Sequence, residues 1–229
     1  QIDDLAEVDY SLSSLPAVFQ PFIDLDLKGV VFPAGNYTDS PYMPASFTIP
    51  DNSDSMLYLA FSEYFFQTSS FAYYTAGAFN MTIAEKTCNY FNINTEIFGT
   101  IIPEVAKYSV TPNPVMLKLM ATEIPIIILE QGSFTVEIQG SMEVLAVLPD
   151  STTQSLFTMN IAANTSISLN IFDHKLMGSL CLNRLQFSLA HSNVGSFEVL
   201  LLENILSYIL QTEVIPSANA KLSKGFPLP

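Results

Sequence analysis

Hydrophobic and polar residues alternate along much of the chain. In FIDLDLKGVVF (22–32), Ile23, Leu25 and Leu27 fall on one side of an extended backbone and Asp24, Asp26 and Lys28 on the other. That period of two predicts an antiparallel strand with one face in water. MLYLAF (56–61), YFNINTEI (90–97), VMLKLMA (115–121), FTVEIQ (134–139), MEVLAVL (142–148), SISLNIF (166–172) and SLCLNRLQFSLA (179–190) repeat it. Turn chemistry separates these stretches at Pro33-Ala34-Gly35, Gln131-Gly132, Pro149-Asp150 and Phe172-Asp173-His174-Lys175.

Three segments change period. SEYFFQTSSFAYYTAG (62–77) offers Ser62 as an N-cap, Glu63 in the first turn and Gly77 as a stop, with Tyr64, Phe65, Thr68, Phe71, Ala72 and Thr75 on one helical stripe. Its Tyr, Phe and Thr content also permits a strand. GTIIPEVAKY (99–108) predicts a short helix from Thr100, with Pro103 tolerated in the first turn. In SFEVLLLENILSYILQ (196–211) Ser196 caps, and Val199, Leu202, Leu206 and Ile209 repeat at helical spacing, widened by Leu201, Ile205 and Leu210. Glu203, Asn204, Ser207 and Gln211 share the other face, which has no Lys or Arg, so a helix packed on a sheet is favoured over one on a membrane surface. Many strands with two or three helices, and no internal repeat, define an α+β domain in which a curved antiparallel sheet wraps the helices. With no linker and no break in composition, residues 1–229 read as one domain.

Composition narrows the function classes. Eight basic against twenty-two acidic residues give a net charge of −14, a field that repels phosphate backbones and anionic headgroups and excludes nucleic acid as a partner. Only 13% of residues are charged while 49% are hydrophobic, so Ser, Thr, Asn and Gln must build most of the surface, as on extracellular proteins. The most apolar stretch, IPIIIL (124–129), is far short of the ~20 residues a membrane span needs, and no transmembrane segment is expected. Without an initiator Met or signal peptide, the chain reads as processed or excised. Sequons at Asn36, Asn80 and Asn164 fit a secreted glycoprotein. Cys88 and Cys181 are either two separate thiols or a disulfide, which would constrain the unfolded chain by roughly 4–5 kcal/mol.

Catalytic chemistry finds little support. The two histidines, His174 and His191, sit in turn-like contexts, and no GxSxG elbow accompanies them. Carboxylate pairs such as Asp24/Asp26 alternate onto a solvated face rather than into a cleft. DNSDS (51–55) opens like a calcium loop but lacks the Gly at its sixth position and the acid at its twelfth. No phosphate-binding glycine loop occurs, and neither an enzyme nor a metal site is expected. An excess of apolar side chains remains, enough for a core or for a cavity wall.

Several of these stretches, in order along the chain, resemble the C-terminal half of the family of bactericidal/permeability-increasing protein, lipopolysaccharide-binding protein and the plasma lipid-transfer proteins. They include SEYFFQTSSFAYYTAGAFNMTI, FGTIIPEVAK, MATEIPIIILEQGSFTVEI, LNRLQFSLAHSNVGSFEVLLLENILSYIL and PSANAKLSKGFPLP. The resemblance covers the whole chain and rests on motifs that carry the fold rather than chemistry. It implies an elongated, barrel-like super-roll of twisted antiparallel sheet around helices, with a lipid in an apolar pocket between helix and sheet. It also implies an N-terminal domain of the same kind in the same chain, residues 1–14 as connecting region, and further strands after KGFPLP.

On that resemblance Phe65, Phe66, Ile101, Val105, Leu202, Ile205, Leu206 and Ile209 are expected to contact acyl chains of a phospholipid or similar amphiphile. No cofactor is implied. The family's endotoxin binding belongs to a basic tip in the absent half, and its typical disulfide lies there too, so neither carries over to this chain. The expected function is a secreted, non-enzymatic lipid-binding domain. The alternative is an interaction scaffold whose acidic surface recognises a protein partner, with no lipid in the core.

Overall fold

The computed structural model describes residues 1–49, 56–83, 94–108, 112–130 and 133–227. Its contacts group into two compact units, Gln1–Ala78 with Ile126–Ile128, and Phe79–Pro125 with Leu129–Pro229.

In the first unit, strands β1 (Ala6–Asp9) and β4 (Val30–Pro33) pair antiparallel, and so do the two-residue strands β2 (Ala17–Val18) and β3 (Ile23–Asp24). Helix α1 (Glu63–Thr75) starts where predicted, because the Ser62 hydroxyl accepts the Phe65 N–H at 3.3 Å. Of its predicted stripe only the small Thr68 and Ala72 are fully buried; the aromatics are half-buried and Thr75 is exposed. Small residues let the helix approach β4, where Thr68 Oγ1 accepts the Val31 N–H at 3.1 Å in a buried setting. The Tyr73 hydroxyl donates to Asp3 Oδ2 at 2.7 Å. Burial, then the Asp3 carboxylate, pushes the phenol up to about 12.

The strand predicted over 22–32 forms only at its two ends. Ile23, Leu25 and Leu27 are 54–65% exposed although Ile23 pairs with Val18 and Leu27 bridges Leu12, because such partners join edge to edge and leave the face uncovered. MLYLAF (56–61) forms no strand and is largely exposed.

The second unit is dominated by an antiparallel sheet whose path runs β11-β10-β9-β8-β6-β5 among the described residues. Its members are β5 (Asn80–Ile83), β6 (Val115–Ala121), β8 (Ser133–Val147), β9 (Thr153–Phe172), β10 (Lys175–Ser192) and β11 (Phe226–Pro227); β7 (Ile126–Glu130) follows β6 in the chain. The two stretches read as separate strands at 134–139 and 142–148 are one strand, because Gly140 and Ser141 keep the ladder to β9. The β9–β10 turn places Asp173 and His174 at φ 48° and 56°, the left-handed pair that a two-residue hairpin needs. The class is α+β as expected, with the sheet left open.

Helices cover one end of the sheet. Thr95–Ile101 is helical (α2), so the strand predicted over 90–97 is corrected at its described end. The helix expected from Thr100 is two helices, because Pro103 has no N–H to continue α2 and instead opens α3 (Pro103–Tyr108). Gly99 permits their tight crossing, since a Cβ there would lie 2.7 Å from Ala106 Cβ. The late helix starts at Val199, with Glu198 and not Ser196 at the N-cap position. It also runs on past 211, as α4 (Val199–Ile209), a π-helical turn (Leu210–Val214) and α5 (Ile215–Leu222). Pro216 is the cause: it cannot donate to the Thr212 carbonyl, and the wider turn absorbs that defect without ending the helix.

Candidate functional site

Register assigns each residue of the long strands to a face. Across β8, β9 and β10 one face reads Phe134–Ile167–Leu180, Val136–Thr165–Leu182, Ile138–Ala163–Leu185, Gly140–Ile161–Phe187 and Met142–Met159–Leu189. The other reads Thr135–Ser166–Cys181, Glu137–Asn164–Arg184, Gln139–Ala162–Gln186 and Ser141–Asn160–Ser188. A bulge between Leu182 and Arg184 resets the alternation and keeps the apolar side chains of β10 on one face.

Coverage of the apolar face changes along its length. At one end Met142, Val144, Phe157 and Met159 are at most 2% exposed, packed with Phe98, Ile102 and Val105 from α2–α3 and with Leu202 from α4. Rings lock this end: Phe157 lies 6.2 Å from Phe98 and 4.9 Å from Phe197. Farther along, Phe134, Ile138, Ile167, Leu180 and Leu182 are half-buried, and near the hairpin Leu169 and Ile171 are 46% and 64% exposed.

The late helix lies along the edge of β10. Glu203 Oε2 meets the Phe187 N–H at 3.5 Å near the packed end. Toward the hairpin, the Asn219 carboxamide accepts the Leu180 N–H at 2.7 Å and donates to the Leu180 carbonyl at 2.9 Å, as a neighbouring strand would. A Cβ at Gly178 would lie 3.8 Å from Leu222. The helix thus follows the strand in the opposite direction and shields part of an otherwise open edge. Val199–Ala220 is also long and apolar enough to cross a membrane by length and composition, which the shorter apolar runs of the sequence did not indicate.

The eight expected contact residues are divided. Ile101, Val105, Leu202 and Leu206 meet in the hydrophobic cluster of the second unit, where Val105 and Leu202 are fully buried core and Ile101 and Leu206 pack against it. Ile205 is half-buried on α4, and Ile209 ends that helix. Phe65 and Phe66 belong to the first unit, in a ring cluster with Phe61 at 5.2 to 6.3 Å. The sheet residues Ile167, Leu180 and Leu182, outside the expected set, are half-buried on the same apolar face; their alternation signalled a face but not its coverage.

Other candidates place as follows. Asn36 and Asn80 are exposed, and Asn164 is half-buried on the polar face. Cys181 is exposed on β10, while Cys88 and the DNSDS stretch lie outside the described residues. His174 occupies the hairpin turn, and His191, on β10 rather than in a turn, has Nε2 3.0 Å from Asn193 Oδ1. Among the described residues no group of three or more His, Cys, Asp or Glu is arranged to hold a metal.

Residues 1–229 match the family model described as "LBP / BPI / CETP family, C-terminal domain". The chain belongs to this family. As a member of the LBP/BPI/CETP family, it is 44% identical over 229 residues to BPI fold-containing family C protein of Homo sapiens, with 100% of the chain and 45% of that protein covered. It is 33% identical over 233 residues to bactericidal permeability-increasing protein of Sebastes schlegelii, covering 100% of the chain and 49% of that protein. A crystal structure of lipopolysaccharide binding protein superposes with a TM-score of 0.65 at 27% identity, covering 100% of this chain and 50% of that one. The chain spans about half the length of the curated relatives it matches. The protein of that crystal structure is named for binding lipopolysaccharide.

Proposed function

We propose that the second unit holds acyl chains of a phospholipid or similar amphiphile against the apolar face of β8–β10, beside the helix Val199–Leu222, as part of a secreted, non-enzymatic protein. The observation that carries this reading is one continuous apolar face, packed solid at one end and only half-covered along the rest. From Leu176 to Leu185 that face runs about 30 Å at the rise of a strand. One leaflet of a bilayer's hydrocarbon core is about 15 Å thick, so the face has length for an extended acyl chain.

Burial would contribute about 0.8 kcal/mol per CH₂, with the headgroup left toward water. Val105 and Leu202 then form the closed end of the groove, and Ile205, Leu206, Ile167 and Leu180 its walls. The relatives named for lipopolysaccharide do not extend that ligand to this chain, whose twenty-two acidic and eight basic residues disfavour an anionic headgroup. The exposed Leu15, Val18, Phe19 and Ile23 of the first unit are read as the surface that meets the rest of a protein of the relatives' length.

Neighbouring residues on opposite faces provide the test. Ile167→Glu, on the apolar face, is expected to lose co-purified lipid, while Ser168→Glu, on the polar face, keeps it. Equal lipid retention by two folded variants would remove this face from the site. A folded wild-type protein that takes up no lipid would instead favour a protein partner at the acidic surface.

A further inference from the structure

The sequon Asn164-Thr165-Ser166 lies in the middle strand of the sheet, with Asn164 on the polar face between Glu137 and Arg184. Its carboxamide is held by one bond on each side: Nδ2 donates to Glu137 Oε1 at 3.0 Å, and Oδ1 accepts from Asn183 Nδ2 at 2.9 Å. Ser166 Oγ donates to Asn183 Oδ1 at 3.0 Å and completes the chain of bonds. An Asn amide has two N–H donors, so the network leaves one without a partner. Beside it lies a shallow depression of about 380 Å³, floored by Ala162 and walled by Glu137, Gln139, Arg184 and Gln186. No side-chain hydrogen bond within the protein engages Gln139, Arg184 or Gln186 among the described residues.

We propose that Asn164 carries an N-linked glycan whose first N-acetylhexosamine lies in this depression. In the transfer, Asn164 Nδ2 bonds to the anomeric carbon of a lipid-diphosphate-linked oligosaccharide, the C–O bond to the diphosphate breaks, and the amide gives up one proton. The acceptor is used before the chain folds, so the Glu137 bond is no barrier. Afterwards one N–H and Oδ1 remain, enough to rebuild both bonds. Small Ala162 leaves room beneath the sugar, while the amides and guanidinium around it match hydroxyl and acetamido groups. A glycan here would also cover the polar face while leaving the apolar face free.

The test uses the full-length protein secreted from a eukaryotic host. Enzymatic deglycosylation in heavy-oxygen water after denaturation is expected to convert Asn164 to labelled Asp, and Ser166→Ala to abolish that label. On the native protein, release at Asn164 is expected to be blocked or slow, and Arg184→Ala/Gln186→Ala to restore it. An unlabelled Asn164 overturns the proposal. A labelled Asn164 released equally fast before and after denaturation overturns the seat in the depression.

Discussion

Asn219 ties α5 to the sheet edge, and Asn219→Leu removes both bonds to Leu180 while keeping the branched shape of the side chain. Each such bond contributes about 0.5–1.5 kcal/mol net, so the pair is worth about 1–3 kcal/mol at a part-buried edge. Because the bonds hold one helix and not the whole sheet, the loss belongs to local opening rather than to global unfolding. A change of 1–3 kcal/mol is about 5–150-fold in an equilibrium. Hydrogen exchange read by mass spectrometry should therefore show peptides over 215–222 exchanging faster by about that factor, with β6 and β8 peptides unchanged. Asn219→Asp keeps the acceptor for the Leu180 N–H but sets a carboxylate against the Leu180 carbonyl, and is expected to open α5 as well. Unaltered exchange at 215–222 in both variants would refute the strap. If the groove beside β10 holds lipid, the same variants also lose it faster.

Leu202→Ala in the packed end is expected to cost about 2–5 kcal/mol in denaturant unfolding, the range for a fully buried leucine. Thr68→Val leaves the buried Val31 N–H without its acceptor and is expected to cost about 1–3 kcal/mol, while Thr68→Ser stays near wild type. Tyr73 has a native pKa raised from 10.0 to about 12, by burial first and then by Asp3. The native state thus holds that proton more tightly than the unfolded chain. Its contribution to stability is complete below about pH 10 and is lost as pH rises through about 12. Ultraviolet titration of tyrosinate should show a late component that Tyr73→Phe removes.

Much of the sheet was legible in the sequence, because β6, β9 and β10 alternate over long stretches and pair with strands that alternate in phase. The same period gave less at 22–27, where only Ile23–Asp24 lie in a strand, and at 56–61, where none forms: alternation reports a face, not what covers it. Ser62 marked α1 through a local bond that needs nothing distant. The late helix runs past its predicted end and across Pro216, and the π-helical turn before that proline has no sequence signature of its own. At the candidate site, Leu202 and Leu206 stood out by helical spacing, but spacing cannot separate the buried Leu202 from a wall that faces a ligand. Ile167 and Leu180 did not stand out, because half-burial of their face depends on where the helix covers the sheet.

The most direct test of lipid binding is native mass spectrometry of the full-length protein from a eukaryotic secretory host, followed by organic extraction and identification of what is released. The account predicts stoichiometric adducts with phospholipid mass, lost in Ile167→Glu and kept in Ser168→Glu. A folded protein that flies bare and takes up no added phospholipid would contradict it.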